Sequence, residues 1–166
     1  MKKIIVLLFL SLIFVVGCSS KSDKEYFELA QKSMDAKDYA GALVNFQKIV
    51  DQFPNSKHYQ FALLQTGELN HGYVNKEISK KASLGLAIDA YRKYQKKYPN
   101  AEKAPQTLFM IGFIQANELG KLDEAKATYT KFLEIYPESE MAESAKSEIA
   151  NIGLSPEEIL KQQSVK

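Results

Sequence analysis

The feature that most constrains the fold of this chain is a pattern of side chains that occurs three times between residues 24 and 137. Each copy ends with an aromatic residue followed by a proline, at Phe53-Pro54, Tyr98-Pro99 and Tyr136-Pro137. Proline lacks an amide hydrogen and disfavours helix in the residue before it, so each pair is expected to end a helix. A small residue lies twelve positions before each proline, an aromatic residue eight before it and a bulky apolar residue five before it. These residues are Ala42, Phe46 and Ile49 in the first copy, Ala87, Tyr91 and Tyr94 in the second, and Ala125, Tyr129 and Phe132 in the third. The spacing predicts one apolar stripe on each of the three helices.

A second apolar helix is predicted before each of these, with a small residue where the two helices would cross. That residue is Ala30 in the first copy, Gly67 in the second and Gly112 in the third. The chain is therefore expected to form three helical hairpins, pairing residues 24–36 with 38–53, 57–73 with 83–98, and 102–119 with 121–136. The second copy has eight more residues than the first between its small residues, around Tyr73–Ser83, and the third has one more between Gly112 and Ala125.

These copies resemble the tetratricopeptide repeat, a 34-residue helix–turn–helix unit. The first copy matches best, with Tyr26, Leu29-Ala30, Tyr39, Ala42, Phe46 and Pro54 at the characteristic positions. The resemblance implies an all-α, TPR-like α-solenoid of three hairpins over residues 25–152, with repeats at about 24–54, 57–99 and 102–137. Residues 138–152 are expected to form a C-terminal capping helix, because such arrays need a polar outer face at their ends. Residues 153–166 are expected to form a short C-terminal helix and a tail.

The N-terminus has the pattern of a bacterial lipoprotein signal peptide. Lys2 and Lys3 precede an apolar stretch over residues 4–16 that is too short to span a bilayer as a helix. Val15-Val16-Gly17-Cys18 resembles the lipobox, which implies removal of residues 1–17 and acylation of Cys18, with palmitate as the expected acyl group. Cys18 is the one cysteine of the chain. The alternative is a membrane anchor that stays uncleaved.

Residues 18–24 are expected to be the lipidated cysteine and a short polar tether. Ser19 resembles the residue that sorts such proteins to the outer membrane, which implies a lipid anchor there and a chain facing the periplasm. The formal net charge is only +2, and Lys2 and Lys3 of the signal peptide supply it. This balance argues against a nucleic-acid partner, because dedicated nucleic-acid binders carry a strong basic excess.

In tetratricopeptide proteins the first helices of the hairpins line a concave groove. Carried onto this chain, the resemblance implies an apolar partner-binding groove, for which the candidate residues are Phe27, Gln31, Met34, Phe61, Leu64, Glu68, His71, Phe109 and Phe113. Such a surface suits an extended peptide or a helix of an envelope protein with hydrophobic anchors. The alternative recruitment site is the Tyr73–Ser83 insertion, which is expected to be a polar, lysine-rich loop or helix extension. The alternative is that C-terminal helices fold over these residues and make them part of the core.

Two groups of residues have side chains that could form a metal, catalytic or anion-binding site. Glu68 and His71 lie three residues apart on one predicted helix, but a metal site or hydrolase would need further ligands or a nucleophile. Arg92, Lys93, Lys96 and Lys97 are interleaved with tyrosines; we interpret them as a solvated helix face, with binding to phosphates of an outer-leaflet or cell-wall polymer as the alternative. No enzyme activity, cofactor, metal or small-molecule substrate is therefore predicted.

The lipobox followed by repeats resembles two groups of envelope proteins. One is the BamD-like (YfiO-like) outer-membrane lipoproteins, which implies a non-catalytic protein-interaction scaffold in envelope biogenesis, such as outer-membrane protein assembly. The departure is length, because those proteins usually carry about five repeats. The other is the repeat domain of CpoB-like (YbgF-like) proteins, which implies an adaptor of the Tol–Pal system or the cell wall. Direct binding of peptidoglycan and, less favoured, a metal-dependent enzyme are the further alternatives.

Overall fold

The computed structural model describes residues 21–164, in which helices are joined by turns and loops and no β-strand occurs. The helices, in chain order, are α1 (Asp23–Asp35), α2 (Tyr39–Gln52), α3 (Tyr59–His71), α4 (Lys80–Lys97), α5 (Ala104–Phe113), α6 (Leu122–Ile135), α7 (Ala142–Asn151) and α8 (Pro156–Ser164). A π-helical turn over Ile114–Glu118 continues α5. The predicted all-α fold class is confirmed.

Each helix from α1 to α6 packs against the next one along the chain. The pairs α1–α2, α3–α4 and α5–α6 are the three expected hairpins, and α7 packs on α6 after the last of them. Contacts between neighbours in sequence are the defining property of a solenoid, in which each unit buries its apolar face against the next. The described chain is therefore an α-solenoid of the tetratricopeptide type. Residues 1–20, which include the predicted signal peptide and Cys18, lie outside the described residues.

The apolar stripes of the second helices form the interior. All nine residues of the predicted stripe are buried, and none exposes more than 1% of its surface. The crossing points are as tight as the small residues suggested. A Cβ atom on Gly67 would lie 2.3 Å from Cε1 of Tyr91, and one on Gly112 would lie 2.8 Å from Cε1 of Tyr129. Two aromatic rings therefore occupy the space that side chains at these two positions would need.

Local sequence accounts for the helix ends. Ser22 and Glu25 form a capping box at the start of α1, and the side chains of Asp38 and Ser79 cap α2 and α4. Helices α2, α4 and α6 end one residue before the aromatic residue that precedes each proline, as the sequence predicts.

The extra residue of the third repeat is accommodated inside a helix. The first helix of that repeat was expected to be continuous over 102–119, but α5 gives way to the π-helical turn, in which the amide of Leu119 donates to the carbonyl of Ile114 at 3.0 Å. A wider turn takes up one additional residue without breaking the helix. It also turns Gln115 inwards, where its Oε1 accepts a hydrogen bond from Thr128 on α6 at 2.7 Å.

The additional residues of the second repeat form a loop between α3 and α4 and also lengthen α4. Helix α4 begins at Lys80, three residues before the predicted start. Tyr73, just after α3, has a φ of 50° and turns the chain. The hydroxyl of buried Ser83 donates to the carbonyl of Asn70 at 2.7 Å and ties the two sides of the loop together. Within the described residues no helix is long and apolar enough to cross a membrane.

Candidate protein-binding groove

The predicted groove residues lie on α1, α3 and α5, the first helices of the three hairpins. None of the nine is buried, and Phe61 exposes 45% of its surface. Phe61 is the exposed phenylalanine of the set, whereas Met34 and Leu64 are partly buried and pack against the core. Each of the nine side chains therefore keeps some contact with solvent, and the partner-binding groove stays a prediction.

The N-terminal part of the groove is an aromatic cluster. The ring of Phe27 stacks on His58 with centroids 4.0 Å apart, and it meets Phe61 edge to face at 5.6 Å. Phe61 also lies 5.8 Å from the buried ring of Phe46. The cluster adjoins a depression of about 310 Å³, lined by Gln31, Met34, Asp35, Phe46, Phe61 and Gln65. Phe61 is thus held by two aromatic neighbours while one side of its ring remains open.

Glu68 supplies a carboxylate in the middle of this apolar surface. Burial raises its pKa, although the hydrogen bond from Gln65 Nε2 at 2.6 Å and the positive charge of Lys103 oppose the rise. A carboxylate that has lost part of its water binds a donor more strongly than one in bulk solvent. Glu68 is therefore suited to accept a hydrogen bond from an amide or a cation of a bound segment.

His71 does not pair with Glu68. Its Nε2 lies 2.5 Å from Oε1 of Glu118, and Nζ of Lys80 lies 2.9 Å from Oε2 of the same carboxylate. Burial alone would raise the pKa of Glu118, but the hydrogen bonds and charges of Lys80 and His71 outweigh it and hold the pKa below its ordinary value. The described residues contain no group of three or more histidine, cysteine, aspartate or glutamate side chains that could hold a metal.

Glu118 was missed by the sequence analysis. It lies 47 residues from its histidine partner and reaches it from the π-helical turn. The available signal was the extra residue between Gly112 and Ala125, which disturbs the register of the third repeat.

The C-terminal part of the groove is less open to a partner. The ring of Phe109 packs against Tyr129 at 5.2 Å and Phe132 at 5.9 Å, both of which are core residues. Phe113 lies 6.2 Å from His71, edge to face. The most accessible aromatic surface of the groove is therefore at Phe61, between the first and second repeats.

A second concave surface lies beside the Tyr73–Ser83 insertion. The loop after α3 folds toward α2 and α4 and leaves a cavity of about 670 Å³. Its lining includes the exposed side chains of Val44 and Leu86 together with Leu43 and Val74. The sequence predicts a polar loop here, and its apolar wall is visible only once the loop is placed against the second helices.

The stacked helical hairpins define an α-solenoid, and Phe61 gives the surface of its first helices an exposed aromatic side chain. A family model named YfiO and described as "Outer membrane lipoprotein" matches residues 19–155, which is most of the chain. The chain belongs to this family, and the suspected resemblance to BamD-like (YfiO-like) lipoproteins is confirmed. The match begins directly after Cys18 and ends at Ser155, just before α8. A comparison with curated proteins gave no match.

Proposed function

We propose that this chain is a non-catalytic protein-interaction scaffold, anchored to the outer membrane by acylated Cys18 and facing the periplasm. Its role would lie in envelope biogenesis, such as the assembly of outer-membrane proteins. The observation that carries the proposal is the family match, which runs from the residue after the lone cysteine through the whole solenoid. The half-exposed groove supports a binding role, and the family match favours it over a Tol–Pal adaptor or a peptidoglycan-binding protein.

The groove suggests how a partner would be held. Phe61 offers an aromatic face beside a depression of about 310 Å³, and Glu68 lies on the same helix, seven residues further on. Two turns of helix separate these positions, so they lie on the same side of α3. A partner segment with an apolar anchor and, about 10 Å away, an amide or a basic side chain would satisfy both groups.

The experiment that tests the groove is a polar substitution of its most accessible anchor. Phe61→Gln should weaken recovery of the partner at least tenfold in an affinity purification of the lipidated protein after in-cell cross-linking, because anchors in such grooves carry much of the binding energy. The substitution should leave helicity intact, since nearly half of the side chain is already exposed.

The matched control is Leu122→Gln, which removes an apolar side chain of similar exposure, 39%, at the start of α6. Its recovery of the partner should equal that of the wild type. Leu86→Gln in the second cavity separates the two surfaces. Partner loss with Leu86→Gln and normal recovery with Phe61→Gln would assign binding to the loop surface and overturn the groove proposal.

A further inference from the structure

A cleft on the outer side of the solenoid combines an apolar floor with positive charge. It lies between α4 and α6 and has a volume of about 490 Å³. Buried Leu108 and Ile111 of α5 form part of its floor. The charged residues of its lining are Arg92, Lys96 and Lys131, and there is no carboxylate among them.

The neutral polar groups of the cleft are already bound within the protein. Gln95 Nε2 donates to Thr107 Oγ1 at 2.7 Å, and the hydroxyl of Tyr136, 3.0 Å from Oε1 of Gln95, donates to the carbonyl of Pro99 at 2.7 Å. Thr128 donates to Gln115 at 2.7 Å. The cations, in contrast, remain exposed. Within residues 21–164 neither Lys96 nor Lys131 has an ion-pair partner, and Arg92 lies 3.8 Å from Asp89 and also interacts electrostatically with Glu124. A ligand of this cleft would therefore be an anion.

An exposed apolar side chain lies beside these cations. Ile135, the last residue of α6, lines the cleft and exposes 46% of its surface. Positive side chains around an exposed isoleucine are suited to a phospholipid surface, since the cations meet the headgroup phosphates and the apolar residue enters the interface.

The cleft lies at the same end of the molecule as the start of α1, and this position favours a membrane surface as its ligand. We call the end of the molecule that contains Asp23, Pro54, Pro99 and Pro137 the proline end. Hydrogen bonds run along it: Ser56 donates to Asp23 at 2.6 Å, Lys97 donates to the carbonyl of Pro54, and Tyr136 donates to the carbonyl of Pro99 at 2.7 Å. Helix α1 begins at this end, and Ile135 terminates α6 there.

The lipid anchor would hold this same end close to the membrane. Only four residues lie between Cys18 and Asp23, and the five fully extended steps from one to the other span about 17 Å. This step rests on the lipid anchor of the proposed function. The acidic residues Glu138, Glu140 and Glu143 follow α6, so the charge of the proline end is not uniform. An anionic surface would attract the cleft side of this end more strongly than the α7 side.

We propose that the cleft side of the proline end, with Arg92, Lys96, Lys131 and Ile135, binds anionic phospholipid and fixes the orientation of the solenoid on the membrane. Each basic residue near such a surface strengthens association by about fivefold. The groove would then be held in one orientation for its partner instead of turning freely on the tether.

The experiment uses the full lipidated chain in vesicles of phosphatidylcholine alone or with about one third phosphatidylglycerol. Because the acylated Cys18 is the only cysteine, Ile135→Cys introduces a single free thiol for an environment-sensitive fluorophore. Its emission should shift to the blue and rise severalfold in the anionic vesicles but not in the neutral ones. The same label at Leu122→Cys, at the opposite end of α6, should not respond.

Charge reversal provides the matched test. Lys96→Glu with Lys131→Glu should abolish the response at position 135. Lys81→Glu with Lys126→Glu makes the same change in charge on the same two helices and should leave the response intact, since both residues are exposed and lie in the first half of their helices, away from the proline end.

Flotation of the protein with vesicles tests the anchor separately. If the protein floats with both vesicle types but the label does not respond, the membrane-binding surface is refuted and the anchor stands. A response that survives Lys96→Glu with Lys131→Glu also refutes it. The surface is refuted as well if this charge reversal instead abolishes cross-linking of the cleft to an acidic protein segment. If the protein floats only with anionic vesicles and charge reversal abolishes this, the surface is supported and the anchor is refuted. If it floats with neither, both are refuted.

Discussion

At the scale of single residues, the helical repeat predicts which side chains are buried, but it does not predict which distant side chains pair with one another. The nine stripe residues could be predicted because a helix repeats its face every three to four positions and the prolines fix the register. The pairing of His71 with Glu118 could not. It depends on the rotation that the π-helical turn gives to Glu118, and the sequence pattern does not encode that rotation.

The carboxylate of Glu118 should contribute to stability in a pH-dependent way. Because its folded-state pKa lies below the ordinary value of 4.5, its contribution is present above about pH 4.5 and is lost as the pH falls through the folded-state value. Glu118→Gln should therefore lower the free energy of unfolding by about 1 kcal/mol at pH 7, with the deficit shrinking below pH 4.5. Urea denaturation of the detergent-solubilised protein at a series of pH values measures this.

The control for this pH series is Glu77→Gln, which removes an exposed carboxylate from the loop after α3. It makes no ion pair in the described part of the chain, and its removal should change the free energy of unfolding little. A deficit for Glu118→Gln that grew on acidification would contradict the interpretation of the His71–Glu118–Lys80 contact.

At the scale of helices, the sequence predicts where helices end more reliably than it predicts an irregular turn within a helix. The aromatic–proline pairs end α2, α4 and α6, because the chemistry of proline acts locally. The extra residue of the third repeat was visible in the sequence, but an insertion can be taken up by a loop or by a helix. Here the π-helical turn takes up the extra residue, and Gln115 of this turn is buried and accepts a hydrogen bond from Thr128.

The close crossing of α3 and α4 gives a prediction about stability. Gly67→Ala would place a Cβ atom 2.3 Å from the ring of Tyr91, which is itself only 1% exposed and has little room to move. Such overpacking should lower the free energy of unfolding by about 1–3 kcal/mol, observable as a lower Tm in a calorimetric or circular-dichroism melt.

Gly85 is the matched control, since it lies inside α4 and a Cβ there would meet nothing within 4 Å. Gly85→Ala should raise the free energy of unfolding by about 0.5–1 kcal/mol, because alanine favours helix over glycine. Equal changes in the free energy of unfolding for Gly67→Ala and Gly85→Ala would contradict the close crossing of α3 and α4.

At the scale of the whole molecule, sequence reasoning anticipated the solenoid more fully than its surfaces. Repeats of one kind stack in one way, so three copies in register predict the architecture. The cavity beside Leu86 and the cationic cleft beside Ile135 each combine residues from separate repeats. No single motif contains them, and they emerge only when the helices are placed side by side.

The central claim is that the groove between the first and second repeats holds another envelope protein. The most direct measurement is in-cell photo-cross-linking with an unnatural amino acid at position 61, with position 122 as the reference, followed by identification of the captured protein. The account predicts a discrete cross-linked envelope protein from position 61, such as a component of outer-membrane protein assembly, and none from position 122. Identical patterns from both positions, or no product from position 61, would contradict it.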